Sequence, residues 1–562
     1  MAGVPAGARV LAATSVALVL SLVGPIAPTP QAATTARTAT SATEDRARRP
    51  NVVLIVADDM RVGDLRFAPR TRTLVGRHGL TFRNSFSPYP LCCPARASLL
   101  TGTYAHNHRV WWHDRPFGYA AFDDRRTLAT SLRAAGYRTG LIGKYLNGYG
   151  PMRSRVTGRP SARYVPRGWS DWRASLDIGV PGVHGGTGAY FDPAFNVNGR
   201  IDNSHRGHYS TDVIGRFAVG MAQRFSRGSR PFFMHVNFFA PHFGGPPEPD
   251  DPPAFAKDSA GRSHDLRTPA RPAWVRGRFD RLITHAAGLP RDGGPAEANV
   301  SDKPSSIRRL TEPSARERFW MRESTRQRAE AVFVMDRQIG RLISRLKRTG
   351  EWRDTVLMFT SDNGYFLGEH RRRSGKVFAQ EPSLRVPFLV TGPGMRSGSD
   401  RYDPITTVDV TATILDLANA APPHRPDGAS RVPTMLRGDR GWRTAVVTES
   451  ALPGRHRRAP GFNDRRTAIG LRTARYSYIV NRGALDELYD LVTDPLQNHN
   501  RIHSRALRPA RRALHAVWRE LRNCRGSGCR APLPATLSAT AAKERSMTRR
   551  YWRAIDAEYG WR

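Results

Sequence analysis

The chain has 562 residues, a length that excludes a single ordinary hydrophobic core and predicts one large domain with a smaller one. Its 88 basic and 48 acidic residues give a formal net charge of +40, which would attract polyanions. Lysine occupies only six positions, however, and such an arginine bias also follows from a high-GC coding sequence, so both explanations stay open.

The first 49 residues are expected to precede the folded domain. Residues 1–33 have the features of a signal peptide: Arg9, an apolar run at 10–23, and small residues up to Ala32 or Ala33. Residues 34–49 lack an apolar periodicity and are predicted to be a flexible leader. The run at 10–23 is too short to span a bilayer and no longer one follows, so we expect a secreted protein without a membrane span.

Four apolar runs are predicted to be buried parallel strands, and polar side chains follow each of them. They are 52–57 before Asp58 and Asp59, 139–143 before Lys144, 232–240 before Pro241 and His242, and 355–360 before Ser361, Asp362 and Asn363. Helical patterns at 127–135 and 328–348 alternate with these runs. The alternation predicts an α/β fold, with a large, mostly parallel sheet between helices. Because ligands bind beyond the carboxyl ends of such strands, the polar residues there are candidate site residues.

The expected domain boundaries follow from changes in this pattern. We predict a catalytic domain at 50–438, interrupted at 243–313 by an irregular insertion rich in Pro, Gly, Asp and Arg. A smaller α+β unit is predicted at 439–562, with strand patterns at 445–448, 472–480 and 487–491 and a helix near 506–523.

The four cysteines fall into two groups. Cys524 and Cys529 are separated by Arg-Gly-Ser-Gly, and a short disulfide loop is expected there because the predicted compartment is oxidising. Cys92 and Cys93 are adjacent and are left as thiols that need another explanation.

Cys92 lies in the segment Leu-Cys-Cys-Pro-Ala-Arg-Ala-Ser-Leu-Leu-Thr-Gly at 91–102. Pro94 suits the first position of a helix and Gly102 the residue after its end. Cys92 should therefore precede a helix amino terminus, where free N–H groups favour an anion, and Arg96 adds a fixed positive charge. For the isolated motif, the alternative is a buried structural cysteine pair with a capping arginine.

These motifs resemble the sulfatase family of the alkaline phosphatase superfamily, from about Arg49 to Asn500. Residues 92–96 are similar to the signature whose first cysteine is oxidised to formylglycine by a separate formylglycine-generating enzyme, although Ala95 stands where serine is common. His-Asn-His at 106–108, Gly-Lys-Tyr-Leu-Asn at 143–147 and Ala-Pro-His at 240–242 are most similar to the N-acetylglucosamine-6-sulfatase and extracellular sulfatase branch. The resemblance implies an alkaline-phosphatase-like fold and hydrolysis of a sulfated sugar or an aryl sulfate.

The resemblance also implies a metal site. The positions that match the metal ligands of the family are Asp58, Asp59, Asp362, Asn363 and the formylglycine at Cys92. Considered alone, these aspartates and the asparagine offer only oxygen ligands, which favours Ca²⁺ over Mg²⁺.

The roles of the remaining site residues are also implied by the resemblance. Arg96 and the cation would favour ionisation of one hydroxyl of hydrated formylglycine, which attacks sulfur, while Lys144, His242 and Lys376 would bind sulfate oxygens. Many sulfatases have a histidine two residues after the lysine, but this chain has Leu146 followed by Asn147. The base that releases sulfate is therefore expected to be His106, or to be replaced by Asn147.

Two other functions stay open. A phosphate or phosphonate ester hydrolase of the same superfamily would bind a tetrahedral group of the same shape, although a single set of metal ligands favours sulfate. A non-catalytic polyanion-binding protein fits the charge, but it gives no reason for adjacent aspartates. The expected partners are a sulfated small molecule or glycan and the formylglycine-generating enzyme, with no specific nucleic acid.

Overall fold

The structure, a computed structural model, describes residues 49–452 and 464–561. The described residues belong to one compact unit, Arg49–Arg562. The predicted signal peptide and all but the last residue of the predicted leader lie outside the described residues. Among the described helices, none combines the length and the apolar composition that a membrane span requires. The boundary expected at 438 stays a prediction.

The described strands are β1 (Asn51–Ala57), β2 (Leu80–Phe82), β3 (Ser85–Phe86), β4 (Arg138–Gly143), β5 (Asp171–Ser175), β6 (Phe195–Val197), β7 (Arg200–Asp202), β8 (Phe232–Asn237), β9 (Phe255–Lys257), β10 (Ser263–Asp265), β11 (Thr355–Ser361), β12 (Phe388–Thr391), β13 (Ser399–Arg401), β14 (Ile405–Thr406), β15 (Val446–Ala451), β16 (Arg466–Arg472), β17 (Tyr476–Asn481) and β18 (Glu487–Asp490). The described α-helices are α1 (Pro69–Thr71), α2 (Cys92–Thr101), α3 (Ala105–His108), α4 (Leu128–Ala134), α5 (Ser210–Ser226), α6 (Ser305–Arg308), α7 (Ala315–Arg348), α8 (Glu381–Leu384), α9 (Thr407–Leu417), α10 (Val432–Arg437), α11 (Arg508–Leu521) and α12 (Ala541–Tyr559).

The central sheet has the spatial order β13-β2-β12-β11-β1-β8-β4-β5-β6-β7. The five strands from β11 to β5 run parallel to one another, and antiparallel pairs begin at β12 and β6. Alternate residues of β1 face opposite sides: Val53 packs into a core with α5 and α7, whereas Leu54 packs into a core with α4 and α9. The predicted α/β fold, a mostly parallel sheet between two helical layers, is confirmed.

The carboxyl-terminal part contains the antiparallel sheet β15-β16-β17-β18. Helix α11 covers it with Leu514 and Trp518, which belong to the same core as Ile469 and Tyr478. The predicted disulfide between Cys524 and Cys529 is present in the structure.

Three predicted segments differ in detail from the structure. The strand predicted at 472–480 spans the turn between β16 and β17. Helix α7 starts at Ala315 rather than at residue 328, and Ser314 and Glu317 form a capping box at its amino terminus. Its first half is rich in charged residues, which weakened the apolar pattern used to place it. The insertion at 243–313 contains the short hairpin β9–β10 and the one-turn helix α6 within mostly irregular chain.

Candidate active site

The polar residues that follow the parallel strands meet beside the amino terminus of α2. Asp58 and Asp59 follow β1, Lys144 follows β4, and Asp362 follows β11, whose neighbour along the sheet is β1. Cys92 is fully buried and is the first residue of α2, not the residue before the helix as predicted. Leu91 is the N-cap, and Pro94 is therefore the third helical residue. Gly102 ends the helix in the left-handed conformation, with φ 70°, as the sequence predicted.

The Cys92 thiol is surrounded by charged side chains. Its Sγ lies 3.2 Å from Asp58 Oδ1 and 3.8 Å from Asp59 Oδ1, and Lys376 Nζ donates to it at 2.8 Å. Burial and the charge of Asp58 raise the pKa of this thiol well above its usual value. Since the thiolate is the reactive form of cysteine, an unmodified Cys92 is a poor nucleophile.

Arg96 is fixed by contacts on several sides. Its Nε donates to Asp362 Oδ2 at 2.8 Å, and its Nη1 donates to Asn237 Oδ1 and to the Lys144 carbonyl, both at 3.1 Å. Its Nη2 lies 3.5 Å from Asp58 Oδ2. The guanidinium therefore holds a fixed positive charge next to Cys92 without side-chain freedom.

Two lysines and one histidine complete the cluster. Lys144 forms an ion pair with Asp58, and Lys376 forms one with Asp59. His242 has its Nδ1 2.7 Å from the Phe243 carbonyl and its Nε2 3.6 Å from Asp59 Oδ2. Burial lowers the pKa of His242 to about 4, so the ring is neutral at pH 7 and donates from Nδ1, with Nε2 facing the cluster.

Three carboxylates in this cluster face three basic side chains. Burial raises the pKa of Asp362 to about 6, and the charge of Asp58 adds to this effect. Burial also raises the pKa of Asp58, but the positive charges of Lys144, Arg96 and Lys376 outweigh it and hold that pKa well below its usual value. A bound dication would give the cluster a net positive charge, which suits an anionic ester.

The oxygen donors fit a hard cation. Asp59 Oδ2 and Asn363 Oδ1 are buried and have no hydrogen-bond partner among the described residues. One ligand atom from each of Asp58, Asp59, Cys92 and His242 lies within 4.8 Å of the others. Asp59 has φ 62°, a strained conformation for a non-glycine residue that is commonly found at functional sites. Burial of an oxygen atom without a hydrogen-bond partner costs folding free energy, and a bound cation would supply the missing interaction.

The structure does not bring His106 into this cluster. Its Nδ1 lies 2.7 Å from Glu449 Oε1 and its Nε2 lies 2.7 Å from the Cys524 carbonyl, so both ring nitrogens are engaged. The interaction with Glu449 outweighs burial and raises the pKa of His106. Asn147, the other candidate, has a buried Oδ1 without a partner among the described residues.

Sequence reasoning missed two residues at the site. Asn237 accepts from Arg96, and its polar side chain within the apolar run 232–240 was a usable signal. His113 has a buried Nε2 without a hydrogen-bond partner in the described chain. Burial and the charges of Lys376 and Lys144 lower its pKa well below the usual value, which places it near the cluster. His113 lies in a loop after α3, where no periodicity marks it.

A cavity of about 410 Å³ opens beside Lys144 and His242. Phe239, Phe243 and neighbouring prolines form apolar walls, and Arg267 stacks on Phe243 at 3.9 Å from the ring centre. Part of this wall belongs to the insertion at 243–313, so the insertion shapes the approach to the site.

The sulfatase family model matches residues 50–420, which contain all of these site residues. The chain belongs to the sulfatase family. A second model, that of the N-sulphoglucosamine sulphohydrolase carboxyl-terminal region, matches residues 368–524 of this family member.

Relatives of this sulfatase family member include two animal proteins. It is 31% identical to the extracellular sulfatase SULF-1 homolog of Drosophila melanogaster over 72% of this chain and 33% of that protein, so it spans about a third of that relative. It is 28% identical to the N-acetylglucosamine-6-sulfatase of Capra hircus over 86% of this chain and 85% of that protein. The predictions of the sulfatase family and of a sulfuric ester hydrolase are confirmed at the level of the family.

Solved structures share the fold of this sulfatase. BT4656 in complex with its substrate D-glucosamine-2-N,6-O-disulfate has a TM-score of 0.60 and 22% identity, covering 84% of this chain and 96% of that one. The phosphonate monoester hydrolase of Agrobacterium radiobacter has a TM-score of 0.58 and 24% identity, covering 88% of this chain and 99% of that one. At these identities, the likeness concerns the fold alone.

Proposed function

We propose that this chain removes sulfate from sulfated sugars, or from aryl sulfates, with a nucleophile made from Cys92 by conversion to formylglycine. The observation that carries the proposal is the convergence of Asp58, Asp59 and Lys376 on the Cys92 side chain. The surroundings of this buried thiol raise its pKa and keep it unreactive. Its position among these charges is explained if the thiol is the precursor of another nucleophile.

We propose that Asp58, Asp59, Asp362 and Asn363 hold a divalent cation together with the modified residue 92. Because these side chains offer oxygen ligands only, Ca²⁺ is the expected ion and Mg²⁺ the less favoured one. When bound, the cation would supply positive charge to the sulfate group and favour ionisation of a nearby hydroxyl.

The basic side chains have separate roles in the proposal. Arg96, fixed by Asp362 and Asn237, keeps a positive charge beside residue 92 and favours an oxyanion there. Lys144 and Lys376 would bind sulfate oxygens through their ammonium groups. His242 donates from Nδ1 to the Phe243 carbonyl, so its neutral ring presents Nε2 to the cluster as an acceptor. The ring would donate to a sulfate oxygen only after taking up a proton.

His113 is our candidate for proton transfer during release of sulfate. Its Nε2 is buried and has no partner in the described chain, whereas His106 has both ring nitrogens engaged. Burial and the two lysines keep this imidazole neutral, and negative charge that develops beside it during sulfate release would raise its proton affinity. A general base of this kind typically contributes about 10²–10⁴-fold to a rate.

The substrate class and the location are part of the same proposal. The goat relative is named an N-acetylglucosamine-6-sulfatase, and the cavity of about 410 Å³ has room for a ligand of monosaccharide size. The fly relative is named an extracellular sulfatase, and a signal peptide is predicted at 1–33. We therefore propose export, with formylglycine-generating enzyme acting on the chain during maturation.

The proposal is tested on protein produced together with a formylglycine-generating enzyme. Mass spectrometry of the peptide that contains Cys92 should show the aldehyde, and elemental analysis should find about one calcium per chain. Rates on 4-nitrophenyl sulfate, 4-nitrophenyl phosphate and N-acetylglucosamine-6-sulfate then identify the ester. A preference for the phosphate would favour the phosphate or phosphonate hydrolase, and an unmodified, inactive thiol would favour the polyanion-binding protein.

A further inference from the structure

A second concave surface lies on the carboxyl-terminal part of the chain. It is a groove of about 710 Å³ between α11, the β17–β18 connection and the segment that precedes α11. We call it the basic groove and define it by the lining residues Asp486, His503, Arg511, Arg512, His515 and Arg519.

The sequence of α11 places the basic residues that it contributes to the groove on the solvent side of the helix. Arg511, His515 and Arg519 recur at intervals of four residues and therefore share one face. The adjoining face, with Leu514 and Trp518, is buried against the antiparallel sheet, and the His515 ring stacks on Trp518 at its border. Packing of the apolar face thus fixes the direction in which the arginines point.

The positive charge of the basic groove exceeds the negative charge of its one described carboxylate, Asp486. Arg511 donates to the Ile502 carbonyl at 2.7 Å, but no carboxylate among the described residues lies within ion-pair distance of Arg511, Arg512 or Arg519. Asp486, the acidic lining residue, accepts from the Asn481 N–H at 2.9 Å.

Another arginine-rich groove, also of about 710 Å³, lies between α5 and α7 and serves as a comparison. There, Arg70 is 3.8 Å from the buried Asp336 carboxylate, and Arg337 stacks on Trp274 at 4.4 Å from the ring centre. Arg341 also donates to Gln338 Oε1 at 3.2 Å, so three arginines of this groove have contacts within the protein. Only Arg70 among them lies within ion-pair distance of a described carboxylate.

We propose that the basic groove binds a sulfated polysaccharide, at a site separate from the Cys92 cluster. Guanidinium groups form paired hydrogen bonds with sulfate oxygens, and Arg511, Arg512 and Arg519 offer three of them along one wall. The exposed Ala484 and the half-buried Leu485 add apolar surface for a sugar ring.

The same surface is less suited to nucleic acid. Single strands are bound without sequence preference by stacking bases on exposed aromatic rings. Of the rings among the described lining residues, Tyr478 is only 2% exposed, and His515 has one face stacked on Trp518. The groove therefore offers anion contacts with little stacking surface, which favours a polysaccharide.

The test compares two variants that lose the same charge. One carries Arg511→Gln, Arg512→Gln and Arg519→Gln, and the control carries Arg216→Gln, Arg337→Gln and Arg341→Gln in the groove between α5 and α7. Calorimetry with a heparin octasaccharide near 0.15 M salt should show binding at least about tenfold weaker for the first variant and changed by less than about twofold for the control.

Several outcomes would overturn the proposal. Equal losses in both variants would assign the binding to the overall charge of +40, and absence of binding by the unchanged chain would remove the site. Equal affinity for a single-stranded DNA of matched charge, with the same sensitivity to the three substitutions, would contradict the polysaccharide assignment. Melting temperatures check folding, and a variant with lysine at all three positions should regain only part of the affinity because it keeps the charge and loses the paired donors.

This binding experiment does not depend on the proposed hydrolysis. The first variant should hydrolyse 4-nitrophenyl sulfate at the rate of the unchanged chain, because none of its substitutions contacts the Cys92 cluster. Loss of octasaccharide binding with unchanged hydrolysis supports the separate site. An inactive enzyme that still binds the octasaccharide through the groove would contradict the proposed function and would support the basic groove as a binding site.

Discussion

Replacement of Glu449 by glutamine should reduce the free energy of unfolding by about 3 kcal/mol at pH 7. Glu449 is fully buried on β15, its Oε1 lies 2.7 Å from His106 Nδ1 and 2.9 Å from Arg466 Nη1, and its Oε2 accepts from the Ala105 N–H at 2.9 Å. Burial raises its pKa, but His106 and Arg466 outweigh burial and lower it from 4.5 to about 2. At about 1.4 kcal/mol for each tenfold change in proton affinity, this difference corresponds to about 3 kcal/mol.

Urea denaturation at pH 7 measures this loss, with Glu520→Gln on the exposed face of α11 as the control. The control should change the free energy of unfolding by less than about 0.5 kcal/mol. Because the folded pKa of Glu449 lies below its unfolded value, its stabilisation is complete above about pH 4.5 and is lost as the pH falls toward 2. The gap between the unchanged chain and Glu449→Gln should therefore narrow over that range. Equal stability of the two at pH 7 would refute a structural role for the Glu449–His106 pair.

Three further predictions concern the site. Lys376→Met should lower kcat/KM for an aryl sulfate by about 10²-fold or more, because it removes a charge beside Cys92. The same substitution at Lys347, an exposed residue of α7, should leave kcat/KM unchanged, and equal rates for the two variants would remove Lys376 from the site. His113→Asn should lower kcat by about 10²-fold and alter its pH profile, and His106→Asn should lower stability with little change in kcat, which steady-state kinetics of the folded protein can distinguish. A calcium chelator should abolish hydrolysis and added Ca²⁺ should restore it; persistence of full activity in metal-free protein would contradict the cation site.

The parallel strands could be predicted because burial on both faces leaves a continuous apolar run. Every residue of Asn51–Ala57 is buried, and the run at 355–360 corresponds to the neighbouring strand β11. Short strands such as Leu80–Phe82 gave no comparable pattern, because three residues carry too little periodicity. The start of α7 was placed too late because its first turns are rich in charged side chains.

The site could be predicted where strand topology positions it. Asp58, Asp362 and Lys144 each follow a parallel strand, and the carboxyl ends of these strands lie at one edge of the sheet. Strand topology could not show which of His106 and His113 lies at the site. Both follow α2, and only tertiary contacts determine where their side chains point. Glu449, which is more than 300 residues away in the chain, forms a hydrogen bond with His106, and no local sequence pattern reveals such a partner.

The most direct measurement is sulfate release from 4-nitrophenyl sulfate by the chain and by its Cys92→Ala variant, both produced together with a formylglycine-generating enzyme. We predict turnover by the chain with the aldehyde at position 92, and none by the variant, which keeps Asp58, Asp59 and Lys376. Equal turnover by the variant, or turnover by a chain that still carries the thiol, would contradict the role assigned to Cys92.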